Sequence, residues 1–156
     1  MLTRSATHAV RAMVALADLE PNEYGRTSRI ADTAGVPRNY LGKILFQMAR
    51  RGLVESQRGL GGGFRLSRAP SLISLYDVID SVEDIGRWND CAFGEKSCSA
   101  TTPCALHGRW CLVRDAYFSL LKDTSVAELR ASHLEGLRTV DAELNACALN
   151  PQRRIQ

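Results

Sequence analysis

The sequence predicts a mainly α-helical chain that carries one small β-hairpin. Apolar residues recur at helical spacing through most of the 156 residues. One glycine-rich run lies between two short segments of strand character, which is typical of a hairpin. The apolar share is 45% and the aromatic share only 6%, so we expect a real core that is mostly aliphatic.

The first predicted helix covers about residues 8–19. Its apolar residues fall at helical spacing, and they are Ala9, Val10, Met13, Val14 and Ala17. Glu20, Pro21 and Asn22 then interrupt the pattern.

Two short helices follow, joined by a tight turn. Thr27 or Ser28 is the expected N-cap of the second helix, and Gly35 suits its left-handed end. Pro37 suits the entry of the third helix, expected over about 38–51 with an inward face of Leu41, Ile44, Leu45 and Met48. Two short helices joined by a glycine turn form a helix-turn-helix pattern.

A β-hairpin is expected directly behind this pattern. Val54 starts the first strand, Phe64 and Leu66 alternate along the return strand, and basic Arg58 and Arg65 flank a tip made of Gly59, Gly61, Gly62 and Gly63. A helix-turn-helix followed by a basic hairpin predicts a winged helix-turn-helix. The glycine run lacks the Gly-Lys-Ser/Thr ending of a phosphate-binding loop and precedes no helix, which excludes a nucleotide site there.

The second half predicts a short helix, a long loop and two more helices. Ser74 and Asp77 are spaced as a capping box that opens the helix LYDVIDSVE. Apolar residues show neither helical nor strand spacing over residues 85–103, which predicts a long loop. Loops this long tend to be functional. A long helix is expected from about Cys104 to Lys122, and a further helix over 126–145. The long helix carries an apolar stripe that could pack on its own domain or on a second copy, formed by Leu106, Trp110, Val113, Tyr117 and Leu120 or Leu121.

Charge is unevenly distributed along the chain. The formal net charge is +3, with eleven Lys/Arg and five Asp/Glu in residues 1–68 against nine and twelve in residues 69–156. A basic front half favours a polyanionic partner. The alternative is a solvated face with an accidental excess of cations.

A recognition helix places its N-terminal residues at base edges in the major groove. The start of the preceding helix can hold a phosphate, and a basic wing tip can enter a minor groove. The predicted contacts with double-stranded DNA are therefore Thr27, Ser28, Arg38, Asn39, Tyr40, Lys43 and Arg58. Each could instead be solvated surface, and Tyr40 could cover the edge of the core.

Four of the five cysteines, Cys91, Cys98, Cys104 and Cys111, crowd into one stretch. No signal peptide or membrane span is recognisable, so we expect a cytoplasmic protein whose thiols stay reduced and act as ligands. Cys104 and His107 are three residues apart and would share a helix face, with Cys111 one turn further along.

The spacing favours an iron–sulfur cluster, [2Fe–2S] or [4Fe–4S], held by Cys91, Cys98, Cys104 and His107. Zinc is a weaker alternative, because no C-x2-4-C pair exists. Unliganded, redox-sensitive thiols are another.

Several motifs together resemble the Rrf-type family of winged-helix transcriptional regulators. They are the start LTRSATHAVRAM, the helix VPRNYLGKIL, the wing RGLGGGFRLSR and the spaced cysteines, and they cover the chain to about Leu129. The resemblance implies a homodimer whose long helix crosses its twin, and a cluster on Cys91, Cys98 and Cys104 that controls operator binding. A two-fold dimer would in turn read a pseudo-palindromic operator.

The run from Cys104 through His107 to Trp110 looks most like the family members that bind a two-iron cluster through a histidine at that spacing. The chain departs from the family pattern at several places. Gly42 stands where those members have a glutamate, Thr7 (beside His8) stands where others have an acidic ligand, and the first cysteine gap is one residue longer. Cys111 is outside the usual ligand set.

We therefore expect a DNA-binding transcriptional regulator controlled by a cluster that senses iron, nitric oxide or redox state. A thiol- or zinc-based regulator is the alternative. An enzyme is disfavoured, because none of His8, His107 and His133 lies beside a Ser or Cys in a recognised nucleophile motif. A protein-interaction module that uses the winged fold without DNA would lack salt-sensitive DNA binding.

These predictions divide the chain into four parts. Residues 1–84 form the winged helix-turn-helix domain and residues 85–103 the cysteine-bearing sensor loop. Residues 104–145 hold the dimerisation helix and the C-terminal helix, and residues 146–156 form a flexible tail.

Overall fold

The computed structural model describes residues 2–91 and 99–132. Its helices and strands follow in the order α1 Arg4–Ala17, α2 Thr27–Ala34, α3 Arg38–Arg50, β1 Val54–Gln57, β2 Gly63–Leu66, α4 Leu75–Asp80 and α5 His107–Asp123. Short 3-10 helices lie at Pro70–Leu72 and Ile85–Asn89. The predicted fold class, mainly helical with one antiparallel hairpin, is confirmed.

Helix α1 begins four residues before the predicted start at residue 8. The side chain of Thr3 caps it by accepting a hydrogen bond from the N–H of Ala6 at 3.3 Å. The carboxylate of Glu83 accepts from the same N–H at 3.2 Å. Because Glu83 is distant in sequence, the periodicity of residues 8–19 alone could not place this cap.

The helix-turn-helix is confirmed in helices α2 and α3. Gly35 ends α2 in the left-handed region with φ 63°, and Pro37 is the N-cap of α3. The predicted N-cap at Thr27 or Ser28 is wrong, because Arg26 occupies that position without a side-chain capping bond. Residue 25 is held in an extended bridge to the wing, so the chain turns into the helix at Arg26.

The wing is a two-stranded hairpin whose register pairs Val54 with Leu66 and Gln57 with Gly63. A bridge joins it to the start of α2, because Gly25 and Phe64 exchange two backbone hydrogen bonds of 2.9 Å. This approach requires a glycine at residue 63, where a Cβ atom would lie 2.2 Å from the carbonyl oxygen of Gly25. The wing is thereby fixed against the helix-turn-helix.

The main core lies between α1, α2, α3 and the wing. It is mostly aliphatic, as predicted, and the four predicted inward residues of α3 are all buried. The largest side chains buried in it are Met13, Ile30, Leu41, Ile44, Leu45, Met48, Ile73, Val78 and Val126.

Helix α4 begins with the predicted capping box, in which Ser74 accepts from the N–H of Asp77 and Asp77 accepts from the N–H of Ser74. The chain returns to this point after α5. The N–H of Leu75 donates to the carbonyl oxygen of Thr124 at 2.9 Å, and that of Val126 donates to Ile73 at 2.9 Å. These two bonds tie the end of α5 to the first half of the chain.

The structure corrects where two predicted segments of the second half begin. The long helix begins at His107 rather than near Cys104, because the N–H of His107 closes a separate turn on the carbonyl oxygen of Cys104 at 3.0 Å. The predicted loop over 85–103 starts as a 3-10 helix, since Ile85 is buried and Trp88 packs on α5.

The predicted apolar stripe of α5 divides between two faces. Trp110 and Tyr117 pack on Trp88, and Leu121 is buried, whereas Val113 and Leu120 are each 60% exposed. Residues 126–132 are helical, and the rest of the predicted helix to 145 and the tail 146–156 lie outside the described residues. None of the helices in the described ranges combines the length and apolar character of a membrane span.

Candidate functional site

The outward face of α3 carries a stripe of exposed residues at helical spacing, namely Asn39, Lys43, Phe46 and Arg50. The buried residues of α3 occupy the opposite face. A helix in this position of a winged helix-turn-helix is the one that enters the major groove. The stripe is therefore the part of the fold best placed to meet base edges.

Arg38, at the start of α3, pairs with Asp32 of α2. Its Nη2 atom lies 3.2 Å and 3.0 Å from the two carboxylate oxygens. Both side chains are about two-thirds exposed, at 65% and 66%. An exposed ion pair of this kind contributes little to stability and exchanges readily, so Arg38 is restrained but still accessible to a phosphate.

Asn39 and Tyr40 occupy different environments. The Oδ1 atom of Asn39 accepts a hydrogen bond from the N–H of Tyr40 at 2.9 Å, and the Asn39 side chain is exposed. Tyr40 is half-buried, its hydroxyl lies 2.6 Å from the Oγ atom of Ser5, and its ring packs edge-on against His8. These contacts favour the interpretation of Tyr40 as the edge of the core that joins α3 to α1.

The first turn of α2 presents Thr27 and Ser28 next to the wing. Both are half-buried, and neither side-chain hydroxyl has a hydrogen-bond partner among the residues that the structure describes. The first N–H groups of a helix have no partner within the helix and bind phosphate readily. Exposed Arg26 precedes them and adds a positive charge at the same point.

The two arginines predicted to flank the wing tip differ in their contacts. Arg58 is exposed and forms no ion pair within the described ranges. Arg65 contacts Glu55 at 2.9 and 2.7 Å, donates to Asn22 at 3.1 Å and lies over the ring of Tyr24. The hydrogen bond to Glu55 raises the pKa of Arg65. Arg58 is therefore an exposed wing cation without an ion pair among the described residues, while Arg65 stabilises the hairpin.

A groove of about 300 Å³ runs between the start of α2, the outer side of α3 and the wing. It brings together predicted contacts, Thr27 and Arg58, with residues that the sequence analysis missed. The missed residues are Arg26, Phe46, Ser56 and Gln57. Phe46 could have been predicted as a surface residue of α3 from its helical spacing to Lys43. The other three reach the groove only because the bridge between Gly25 and Phe64 joins the wing to the start of α2.

Ion pairing decides which cations give this surface its charge. Arg29 pairs with Glu23, and Arg38 and Arg65 are paired as described above. Four exposed cations around α3 and the groove have no ion pair among the described residues, and they are Arg26, Lys43, Arg50 and Arg58. These four supply the positive potential that a phosphate backbone would meet.

The cysteine region is organised by three stacked aromatic rings. Trp88 lies between Trp110 and Tyr117 of α5, with ring centroids 5.9 Å and 4.9 Å away. Burial in this stack raises the pKa of Tyr117. The Nε1 atom of Trp110 donates to the carbonyl oxygen of Asp90 at 3.0 Å. The stack and this hydrogen bond hold residues 88–90, which directly precede Cys91, against α5.

Two pairs of candidate ligands meet there. The Sγ atoms of Cys91 and Cys104 lie 3.8 Å apart, and the Sγ atom of Cys111 lies 3.6 Å from the Nε2 atom of His107. All four side chains are half-buried. Within the described ranges no three His, Cys, Asp or Glu side chains gather into a metal site. The predicted third thiol, Cys98, and the separate Cys147 lie outside those ranges.

The distance between the two thiols fits a shared metal. Two sulfur atoms bound about 2.3 Å from one tetrahedral metal lie roughly 3.8 Å apart, and Cys91 and Cys104 have that separation. Two thiolates at this distance suit zinc or a single iron of a [2Fe–2S] cluster, whereas the imidazole of His107 faces Cys111. The pair of thiolates therefore fits one metal of such a group, and its geometry suits either of the two metals.

Thr7 and His8, at the position where the family resemblance implies an acidic ligand, both lie in α1. Thr7 uses its hydroxyl within α1, where it donates to the carbonyl oxygen of Thr3 at 3.0 Å. The Nδ1 atom of the neighbouring His8 is buried and has no hydrogen-bond partner among the described residues. His8 faces Tyr40, so it belongs to the contact between α1 and α3.

Comparison with known proteins identifies similar sequences over most of the chain. A model of the Rrf2 family, described as an iron-dependent transcriptional regulator, matches residues 2–132. The HTH-type transcriptional regulator NsrR of Bacillus licheniformis is 31% identical over 129 residues, which cover 82% of this chain and 90% of that protein. The protein aau3 of Rhizobium meliloti is 34% identical over 129 residues, or 82% of this chain and 83% of that protein.

Solved structures share the fold. CymR, the global cysteine regulator of B. subtilis, superposes with a TM-score of 0.71 and 24% identity, covering 85% of this chain and 97% of that one. IscR of T. potens superposes with a TM-score of 0.68 and 24% identity, covering 87% and 90%. At this level of identity the two likenesses establish the winged-helix architecture.

Proposed function

This chain belongs to the Rrf2 family of transcriptional regulators, and we propose that a cysteine-bound iron–sulfur cluster controls how its homodimer binds an operator. Membership confirms the resemblance drawn from the helix, wing and cysteine motifs. The protein is a DNA-binding regulator rather than an enzyme, as its relatives are. The cluster, the dimer, the individual contacts and a cytoplasmic location form the proposal.

The observation that carries the cluster is the 3.8 Å approach of Cys91 and Cys104 in the turn just before α5. The family description as iron-dependent supports iron rather than zinc as the metal. Cys91, Cys98 and Cys104 would hold the cluster, with His107 as fourth ligand. When bound, such a cluster supplies a centre that is sensitive to iron supply, nitric oxide and oxidants.

The protein residues determine how that site reaches the DNA-binding half. Cys91 follows directly on the segment that Trp88 anchors between Trp110 and Tyr117. Ile85, in the same segment, packs with Ile79 of α4 and with Ala6 of α1. A change in the conformation of residues 85–91 therefore affects α1. Helix α1 in turn packs against α3.

The proposed homodimer rests on the free face of α5. Leu112 is 74% exposed, and Val113 and Leu120 are each 60% exposed. With Ala116 between them at helical spacing, they form an apolar stripe that no described residue covers. Burying such a stripe against a second copy stabilises a two-fold dimer, and a two-fold dimer matches a pseudo-palindromic operator.

Docking on DNA uses the surface described above. Helix α3 enters the major groove with Asn39 and Lys43, while Arg58 of the wing reaches the adjacent minor groove. Thr27 and Ser28 hold a phosphate at the start of α2. Arg38 takes part by exchanging Asp32 for a phosphate, and Tyr40 acts by positioning α3.

The cluster is tested by anaerobic purification followed by visible absorption and by analysis of iron, sulfide and zinc. We expect a chromophore that is lost in Cys91→Ala, Cys98→Ala and Cys104→Ala. Cys147→Ala is the matched control and should retain it. His107→Ala should shift the spectrum without erasing it, because three thiolates remain. Protein that holds stoichiometric zinc, or no metal after anaerobic reconstitution, would exclude the cluster.

A thiol switch is the second candidate function, and the same pair of sulfur atoms favours it. In metal-free protein, the Sγ atoms of Cys91 and Cys104 would have to approach from 3.8 Å to about 2.05 Å to form a disulfide. An oxidant would then act on the segment 85–91 directly. This function predicts redox-dependent operator binding in protein that never contains iron.

A further inference from the structure

Phe46 is an exposed aromatic residue on the face of α3 that points away from the core. It is 59% exposed. Lys43 lies one turn before it and Arg50 one turn after it, both exposed. The core beneath α3 is complete without Phe46, because Leu41, Ile44, Leu45 and Met48 fill the opposite face.

The Phe46 ring is held in place from the wing side. It packs edge-on against Phe64, with ring centroids 5.5 Å apart and an interplanar angle of 83°. Phe64 is itself buried and fixed by its backbone bridge to Gly25. The exposed aromatic ring is therefore a preorganised surface.

The neighbours of Phe46 indicate what it meets. It forms one wall of the groove that Arg26, Thr27, Ser56 and Arg58 also line. Arginines and hydroxyls of this kind suit a sugar–phosphate backbone. A protein partner is less compatible with this setting, because a protein surface would have to be strongly acidic to match Arg26 and Arg58.

We propose that Phe46 reads a thymine in the operator by packing its ring against the C5-methyl group in the major groove. The inference rests on the proposed docking of α3. Among the base edges of the major groove, the thymine methyl is the apolar group, and phenylalanine is one of the side chains that contact it. Because the methyl group lies near the backbone of its own strand, a ring at the wall of a phosphate groove is suitably placed.

The contact adds sequence preference at one position of each half-site. Cytosine lacks the methyl group and presents a polar amino group in the major groove, so replacing thymine leaves the ring against water or a polar edge. Asn39 and Lys43 act through hydrogen bonds, whereas Phe46 acts through apolar contact.

The test begins with duplexes that wild-type protein enriches from a random-duplex library. Each thymine of the enriched half-site is then replaced singly by deoxyuridine, which removes only the C5-methyl group, and affinities are measured by fluorescence anisotropy. We expect one position per half-site at which the replacement weakens wild-type binding about fourfold, which corresponds to ~0.8 kcal/mol for one buried methyl-sized group. A duplex with 5-methylcytosine at that position should bind more tightly than the same duplex with cytosine there, because it carries the methyl group again.

Phe46→Ala should bind the thymine and deoxyuridine duplexes equally at that position. Leu72→Ala removes another exposed apolar side chain outside the DNA surface and should retain the fourfold difference. A thermal melt of each variant checks folding, and the deoxyuridine series on wild-type protein needs no variant.

Two results would overturn the inference. One is a wild-type protein that binds its selected duplex but is indifferent to deoxyuridine at every position. The other is a methyl preference that persists in folded Phe46→Ala. If wild-type protein selects no duplex at all, the proposed docking of α3 fails first, which separates the two proposals.

Discussion

The Sγ atoms of Cys91 and Cys104 lie 3.8 Å apart, although the two residues are 13 positions apart in the sequence. The stack of Trp88 with Trp110 and Tyr117 brings the first thiol to α5, and the second lies in the turn just before that helix. The same separation suits two sulfur ligands of one metal and two thiols that could be joined by a bond of about 2.05 Å.

Mild oxidation of metal-free protein should join these two residues. Two thiols react with hydrogen peroxide to give a disulfide and two water molecules. Because Cys91 and Cys104 already lie close together, we expect a linked peptide containing both residues in a non-reducing digest analysed by mass spectrometry. Cys111, whose Sγ atom instead faces His107, should remain alkylatable.

Pre-loading the protein with its metal provides the control for this oxidation. Thiols that act as ligands should resist peroxide longer than in the metal-free form. A linked peptide that contains Cys111 in place of Cys104 would contradict the geometry.

Arg58→Ala should weaken operator binding while leaving the fold intact. Arg58 is exposed on the wing and makes no ion pair within the described ranges. We expect a loss of about 1–3 kcal/mol if it reads a minor groove, and a smaller loss at high salt if it contacts phosphate alone. Fluorescence anisotropy across a salt series distinguishes the two cases.

Arg65→Ala is the matched control for the wing. Its contacts with Glu55, Asn22 and Tyr24 lie within the protein. Its loss should therefore lower the melting temperature more than Arg58→Ala does and change the salt slope less. Unchanged affinity of Arg58→Ala at low salt would remove Arg58 from the interface.

Asp32→Ala should tighten DNA binding. The substitution removes a negative charge from the interface and releases Arg38, which Asp32 now holds at 3.0 Å. If Arg38 then takes a phosphate, the slope of log affinity against log salt should steepen by about 0.9. Weaker binding in Asp32→Ala would mean instead that the ion pair positions Arg38 for its contact.

Acidic substitutions on the free face of α5 should separate the proposed dimer. The double variant Val113→Asp with Leu120→Asp places charge in a stripe that is 60% exposed at both positions, so each monomer should tolerate it. We expect analytical ultracentrifugation to show dimeric wild-type protein and a monomeric variant at micromolar concentration. Operator affinity should fall because a monomer binds a single half-site.

Leu72→Asp offers a matched change at an exposed apolar residue away from α5. It should leave the dimer and the operator affinity intact. A wild-type protein that sediments as a monomer would contradict the dimer, as would a double variant that remains dimeric while folded.

The sequence by itself predicted the parts of the chain that depend on local rules. Gly35 was expected at a left-handed helix end and has φ 63°. Ser74 and Asp77 form the capping box that their spacing predicts. The inward face of α3 is confirmed because a repeat of three and four residues defines one side of a helix. These features arise from neighbours in sequence, so no other part of the fold is needed to infer them.

Tertiary structure decided the features that join distant residues. The start of α2 is set by the bridge from Gly25 to Phe64, and that bridge also brings Arg26 and Thr27 to the wing. Burial of one side of α5 under Trp88 separates the predicted stripe into a covered face and a free face.

Ion pairing likewise divided the cations of the basic half. Among the residues that the structure describes, Arg38 and Arg65 are paired, whereas Lys43 and Arg58 form no ion pair. Local sequence patterns determine which segments become helix or strand and which side turns inward. The partner that each exposed or half-buried side chain finds depends on how those segments pack, because packing places together groups that are far apart along the chain.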